Sequence, residues 1–247
     1  MFKDINKFIQ KNTKQKGKII KRISREIIIP KNIDLNLADS YRIKETINKF
    51  VSKYIKQKKS SQTPNQIYDD IKNQFESFEK NYIEEVLPEK LKEIPTNLYK
   101  MSNATIFSTS NLVTRSLSTK MGHLWERVAN CSNVTLSTEA EFDLKIKGVD
   151  IIFIKNDKPF YAQLKTLEGT LTGSQQKRSE QELSIHNNAI FIAAFDTGTG
   201  WTFNSKKIQR IKGKEFWSQI NIDYDFLLEC VKKMIKNIEN SFVELRD

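Results

Sequence analysis

The stretch from Gly148 to Lys165 constrains this chain more than any other. Ile151-Ile152-Phe153-Ile154 and Phe160-Tyr161-Ala162-Gln163-Leu164 are rich in β-branched and aromatic residues, and Lys155-Asn156-Asp157-Lys158-Pro159 between them carries turn chemistry. The pattern predicts an antiparallel hairpin. Three polar residues interrupt it. Asp150 stands at the start of the first strand, while Gln163 and Lys165, two apart on the second, share a face because side chains alternate along a strand. The hairpin thus brings a carboxylate, an amide oxygen and an ammonium to one end of an apolar unit. Such a set can hold a divalent cation with a water beside it.

Around the hairpin the periodicities predict an α/β fold. Thr63-Pro64 opens a helix through Ile67, Ile71, Phe75, Phe78, Tyr82 and Val86 that Pro88 should end, and Leu91 to Asn111 reads as an irregular connection. Leu112, Val113, Leu117, Met121, Leu124, Trp125 and Val128 then give a helix that carries Glu126. Val134 to Leu136, Phe142 to Ile146 and Trp201 to Phe203 read as strands, and the apolar run Ala189 to Phe195 suits a strand covered on both faces. The expectation is a mixed central sheet of about five strands from 133–203, flanked by the Glu126 helix and a helix over 173–187. A terminal helix over Tyr224 to Phe242 follows. Domain limits are expected at 1–110, a helical, basic region, and 111–247, which holds the sheet and the polar hairpin residues.

Charge is the second constraint. Of a net +11, residues 1–60 hold 17 Lys and Arg against 5 Asp and Glu, while the rest of the chain carries 24 basic and 25 acidic side chains. A basic segment of that density fits a polyanion such as nucleic acid, or is a solvated lysine-rich face. Two cysteines, Cys131 and Cys230, and an N-terminus whose apolar residues are broken by lysines point to a reducing, cytoplasmic compartment. No stretch of about 18 apolar residues offers a membrane span. His123 and His186 match no zinc spacing, and Gly198-Thr199-Gly200 lacks the residues of a nucleotide loop.

Asp150, a hydrophobic hairpin and then Gln163-Leu164-Lys165 resemble the core of the PD-(D/E)XK nuclease superfamily, in the variant where Gln replaces the second acid. Gly122-His123-Leu124-Trp125-Glu126-Arg127-Val128 is similar to the opening helix of that core, and the likeness covers roughly residues 117–203. It implies a restriction-endonuclease-like fold and a Mg²⁺-dependent endonuclease acting on double-stranded DNA. Within that class it implies a type II site-specific restriction enzyme, a homodimer of the bacterial cytoplasm. Asp150, Gln163 and the backbone carbonyl of Leu164 are the implied metal ligands, with Glu126 as a further candidate. Lys165 is the implied catalytic cation.

For DNA contact the candidates are Ser174, Gln175, Gln176, Lys177 and Arg178 on the first turns of the 173–187 helix, where backbone amides favour phosphate. Lys14, Lys16, Lys18, Lys21 and Arg22 are the N-terminal candidates, and Lys206 to Lys214 offers another basic stretch. Glu139 and Glu141 are acids expected in a loop. A type IV or Mrr-like, Holliday-junction or repair nuclease stays open, as does a DNA-binding protein that keeps the fold with a dead site.

Overall fold

The computed structural model of the protein describes residues 53–57, 62–93, 98–142, 146, 148–198 and 200–246. Residues 1–52, with Lys14, Lys16, Lys18, Lys21 and Arg22 and most of the basic segment, lie outside the described residues.

Helix α1 (Pro64–Asn81) starts where Thr63 caps it, with Gln66 closing a capping box and Pro64 in the first turn. Ile67, Ile71, Phe75 and Phe78 make its buried stripe. Pro88 does not end the helical path. A π-helical turn over Tyr82–Val86 leads into α2 (Leu87–Lys92), and the Leu87 N–H bonds Tyr82 O, five residues back. The wider turn makes room for a proline that has no N–H and whose ring would crowd a carbonyl four residues earlier.

After α3 (Leu98–Met101), the long helix α4 (Thr105–Cys131) begins seven residues before the apolar pattern announces it. The expected connection over 105–111 is therefore helical. Its Ser, Thr and Asn content suggests a loop, yet Thr109, Thr114 and Thr119 donate their hydroxyls to carbonyls four residues back, a bond that a helix tolerates. Residue 110, the expected domain limit, falls inside α4, and α1 packs in one core with the strands that follow.

The sheet runs β1-β2-β3-β4-β5: β1 (Thr135–Leu136), β2 (Ile151–Lys155), β3 (Lys158–Lys165), β4 (Ala189–Ala193) and β5 (Gln209–Lys212). The first three strands are antiparallel neighbours and the last three parallel, so the mixed five-stranded sheet is as expected. Of the strand expected over Phe142 to Ile146, residues 143–145 lie outside the described residues; Phe142 ends helix α5 (Thr138–Phe142), and Ile146 makes a lone bridge to Val149. Trp201 to Phe203 is not a strand. Phe203 instead stacks on Phe191 at 4.2 Å between ring centres, so its apolar surface fills a core face and needs no ladder.

Alternation divides β2 to β4 between two cores. Ile151, Phe153, Ala162, Leu164, Ile190 and Ile192 face α1, α4, α7 (Gly213–Gln219) and α8 (Tyr224–Glu244), with Trp125 and Trp217 among the largest buried side chains. Ile152, Tyr161 and Phe191 face Leu183 of α6 (Gly173–Leu183), and Ile55 from the segment over 53–57 joins them. The catalytic-candidate strand β3 is thus covered on both sides except at its ends. Among the described residues no helix is long and apolar enough to cross a membrane.

Candidate metal and phosphate site

Asn156 and Asp157 both have positive φ (50° and 58°), the conformation of a two-residue hairpin turn of type I′. With Lys155 paired to Lys158, this turn fixes the register that sets Ile151 against Ala162. One residue earlier, the Asp150 N–H bonds Ala162 O at 2.8 Å. Its carboxylate then turns back along the strand edge, and Oδ2 accepts the Leu164 N–H at 2.8 Å. Lys165 Nζ lies 4.0 Å from the same oxygen, with both side chains partly open to solvent.

Gln163 and Lys165 point to the α6 side with Tyr161, because residues two apart on a strand share a face. Gln163 is buried, and its Oε1 has no hydrogen-bond partner among the described residues. An acceptor in that state costs about 1–3 kcal/mol, so a group that satisfies it is wanted. The backbone of Leu164 faces β2, as its bond to Asp150 requires, which turns its carbonyl to the same side just beyond the last ladder pair. One carboxylate, one amide oxygen and one peptide oxygen form a hard donor set that fits Mg²⁺.

Glu126 lies on α4, with Oε1 3.6 Å from His123 Nδ1. Among the described residues no three of His, Cys, Asp and Glu gather into a group that could hold an ion. Helix α4 meets the strand end through Trp125, whose Nε1 donates to Thr166 Oγ1 at 3.1 Å. Glu139 and Glu141 are in helix α5 rather than a loop, and Glu141 accepts from Tyr54 OH (2.9 Å) and Asn130 Nδ2 (3.0 Å).

The α6 candidates divide by what they already bind. Ser174, Gln175, Lys177 and Arg178 are exposed. Gln175 Oε1 takes the Thr172 N–H at 3.0 Å, Gln176 Nε2 donates to Asn204 O at 2.9 Å, and Arg178 Nε pairs with Glu182 at 2.8 Å. Lys177, Arg178 and the amide nitrogen of Gln175 are the donors this turn presents outward. The helix also touches the approach to Asp150: a Cβ on Gly148 (φ +74°) would stand 2.4 Å from Glu182 Cβ.

A second charged group was not visible in the spacing. Glu168 is fully buried three residues after Lys165, and Lys212 Nζ reaches both its Oε1 (3.1 Å) and Asp196 Oδ1 (2.7 Å). The carboxylates of Asp196 and then Glu168 raise the Lys212 ammonium above the usual lysine range, and Lys212 with the Gly198 N–H holds Asp196 below the usual carboxylate range. Glu168 and Lys212 are 44 positions apart, and only the parallel pairing of β3, β4 and β5 joins them. The chain matches no protein-family model, no curated protein and no solved structure.

Proposed function

We propose that the protein is a Mg²⁺-dependent endonuclease that hydrolyses phosphodiester bonds of double-stranded DNA, and within that class a type II site-specific restriction endonuclease. The observation that carries this reading is the strand edge itself. The Asp150 carboxylate, just before β2, sits against the Leu164 N–H and Lys165 Nζ of β3, the strand that also holds the buried Gln163 oxygen, which has no partner among the described residues. The homodimer and the bacterial cytoplasm come to the chain only through its resemblance to PD-(D/E)XK enzymes.

Asp150, Gln163 and the Leu164 carbonyl would hold the cation, which supplies charge stabilisation and a more acidic bound water. Water attacks phosphorus, the bond from phosphorus to the 3′ oxygen breaks, and negative charge grows on the non-bridging oxygens and the leaving oxygen. Lys165 offsets that charge and orients the attacking water through its Nζ–H groups. Hydrogen bonding from Leu164 keeps Asp150 oriented, so the ligand is fixed before substrate arrives. Lys177 and Arg178, exposed on the first turns of α6, would take backbone phosphates.

Incubating plasmid with the protein and Mg²⁺ tests this directly. Discrete bands are expected; a smear would mean a nuclease without sequence readout, and retained binding without cutting would mean a DNA-binding protein. Asp150→Ala and Lys165→Ala should each abolish cleavage while DNA binding persists. Near wild-type cutting by either variant refutes the assignment.

A further inference from the structure

Glu168 is a buried carboxylate that the proposed chemistry does not use. Lys212 Nζ meets its Oε1 at 3.1 Å and Thr197 Oγ1 donates to its Oε2 at 3.5 Å, as a carboxylate taken from water requires partners. The backbone at the same residue is equally engaged: Glu168 O accepts both the N–H (3.1 Å) and the hydroxyl (3.2 Å) of Thr202. Thr202 Oγ1 in turn takes the Leu171 N–H at 3.1 Å. The segment from Thr166 to Thr172 is therefore held at both ends, by Trp125 at Thr166 and by Thr202 at Leu171, with the Glu168–Lys212 pair at its middle.

The place of this segment gives it meaning. It starts one residue after Lys165 and ends where α6 begins. Lys212 closes β5 and Asp196 lies three residues beyond β4, so one ion cluster joins the C-terminal ends of all three parallel strands. Crevices outside those strand ends are where open sheets of this kind bind ligands. Two acids around one lysine leave the cluster at −1, which repels phosphate, and Glu168 has no exposed surface with which to touch DNA. Nor does stability account for it, because a buried ion pair is often no better than apolar residues of the same volume.

We propose that Glu168 and Lys212 are a positioning pair, which fixes the distance and angle between Lys165 on β3 and the DNA-facing turn of α6. The inference rests on the nuclease reading above. DNA gripped by Lys177 and Arg178 meets Lys165 and Asp150 in register only if the connecting segment has one conformation. A misplacement of about 1 Å can lower a rate by about 100-fold without weakening binding.

The test compares wild type with Glu168→Gln, Lys212→Met and the double variant. Single-turnover cleavage with enzyme in excess over plasmid gives a rate constant that does not depend on the fraction of active molecules. Metal-free DNA affinity and amide exchange at Leu171 and Thr202 are read alongside. Each single variant is expected to cleave about 10- to 100-fold more slowly with a dissociation constant within about three-fold of wild type. The double variant should be no slower than the worse single one, and exchange at both amides should quicken. Cleavage by Glu168→Gln within about two-fold of an active wild type overturns the pair and leaves the nuclease reading standing. A wild type that does not cut overturns both.

Discussion

Replacing Gln163 with Leu should make the metal-free protein more stable and the Mg²⁺-loaded protein less so. Gln163 is 8 % exposed and its Oε1 has no partner among the described residues, which costs about 1–3 kcal/mol. Leu has a similar volume and removes that oxygen, and losing the polar contacts of the amide nitrogen sets about 1 kcal/mol against the gain. The balance is a gain of about 1 kcal/mol, or about 2–4 °C in Tm for a chain of this size. Mg²⁺ at about 100 times its dissociation constant adds about 2.7 kcal/mol to a protein that binds it only when folded. Thermal unfolding in EDTA and in Mg²⁺ therefore gives two curves per protein, and the order of wild type and variant should invert between them. A variant that loses more than about 1 kcal/mol in EDTA, or gains as much from Mg²⁺ as wild type does, refutes the reasoning. Gln163→Glu, which puts an acid at the same place, should keep activity or change metal preference.

Gly148→Ala should cost about 2 kcal/mol or more by chemical denaturation, because it adds left-handed strain to a contact of 2.4 Å with Glu182; a loss under about 0.5 kcal/mol would show that α6 does not seat on this turn. Burial raises the hydroxyls of Tyr54, Tyr82 and Tyr161 above the ordinary tyrosine value, and Glu141 adds to the effect at Tyr54. A folded pKa above the unfolded one gives stability that is complete below pH of about 10 and is lost as pH rises through the folded values. Ultraviolet titration should show these three phenolates appearing only with alkaline unfolding. Charge reversal at Lys14, Lys16, Lys18, Lys21 and Arg22 should flatten the dependence of log affinity on log salt by about 0.9 for each phosphate contact removed, and an unchanged slope would make the segment a solvated face.

The features legible in the sequence are those set within a few residues. The Asn156-Asp157 turn, the placing of Gln163 and Lys165 by alternation, and the helix start at Thr63 all depend on neighbours. What was hidden depends on distant partners. Strand β5 reads Gln-Arg-Ile-Lys with Ile211 alone buried, so it carries almost no apolar signal, and its pairing with β4 defines it. Trp201 and Phe203 look like strand residues because they are aromatic, but they are bound to Phe191 by ring contacts. Pro88 reads as a stop until a π turn removes the clash, and nothing near Glu168 announces a lysine 44 positions later.

The type I′ turn also bears on the order in which the protein folds. Isolated hairpins form in about 1–10 μs, whereas the parallel pairs β3–β4 and β4–β5 must first close long loops. Asp150, Gln163 and Lys165 all lie on or beside the piece that needs only its own two-residue turn to find its partner. The expected course of folding therefore sets the three candidate residues in relative order before the parallel strands join. Loosening of the β5 edge in the folded protein would leave that order intact, so substitutions in the turn at Asn156 and Asp157 should slow folding, and those in β5 should mainly speed unfolding.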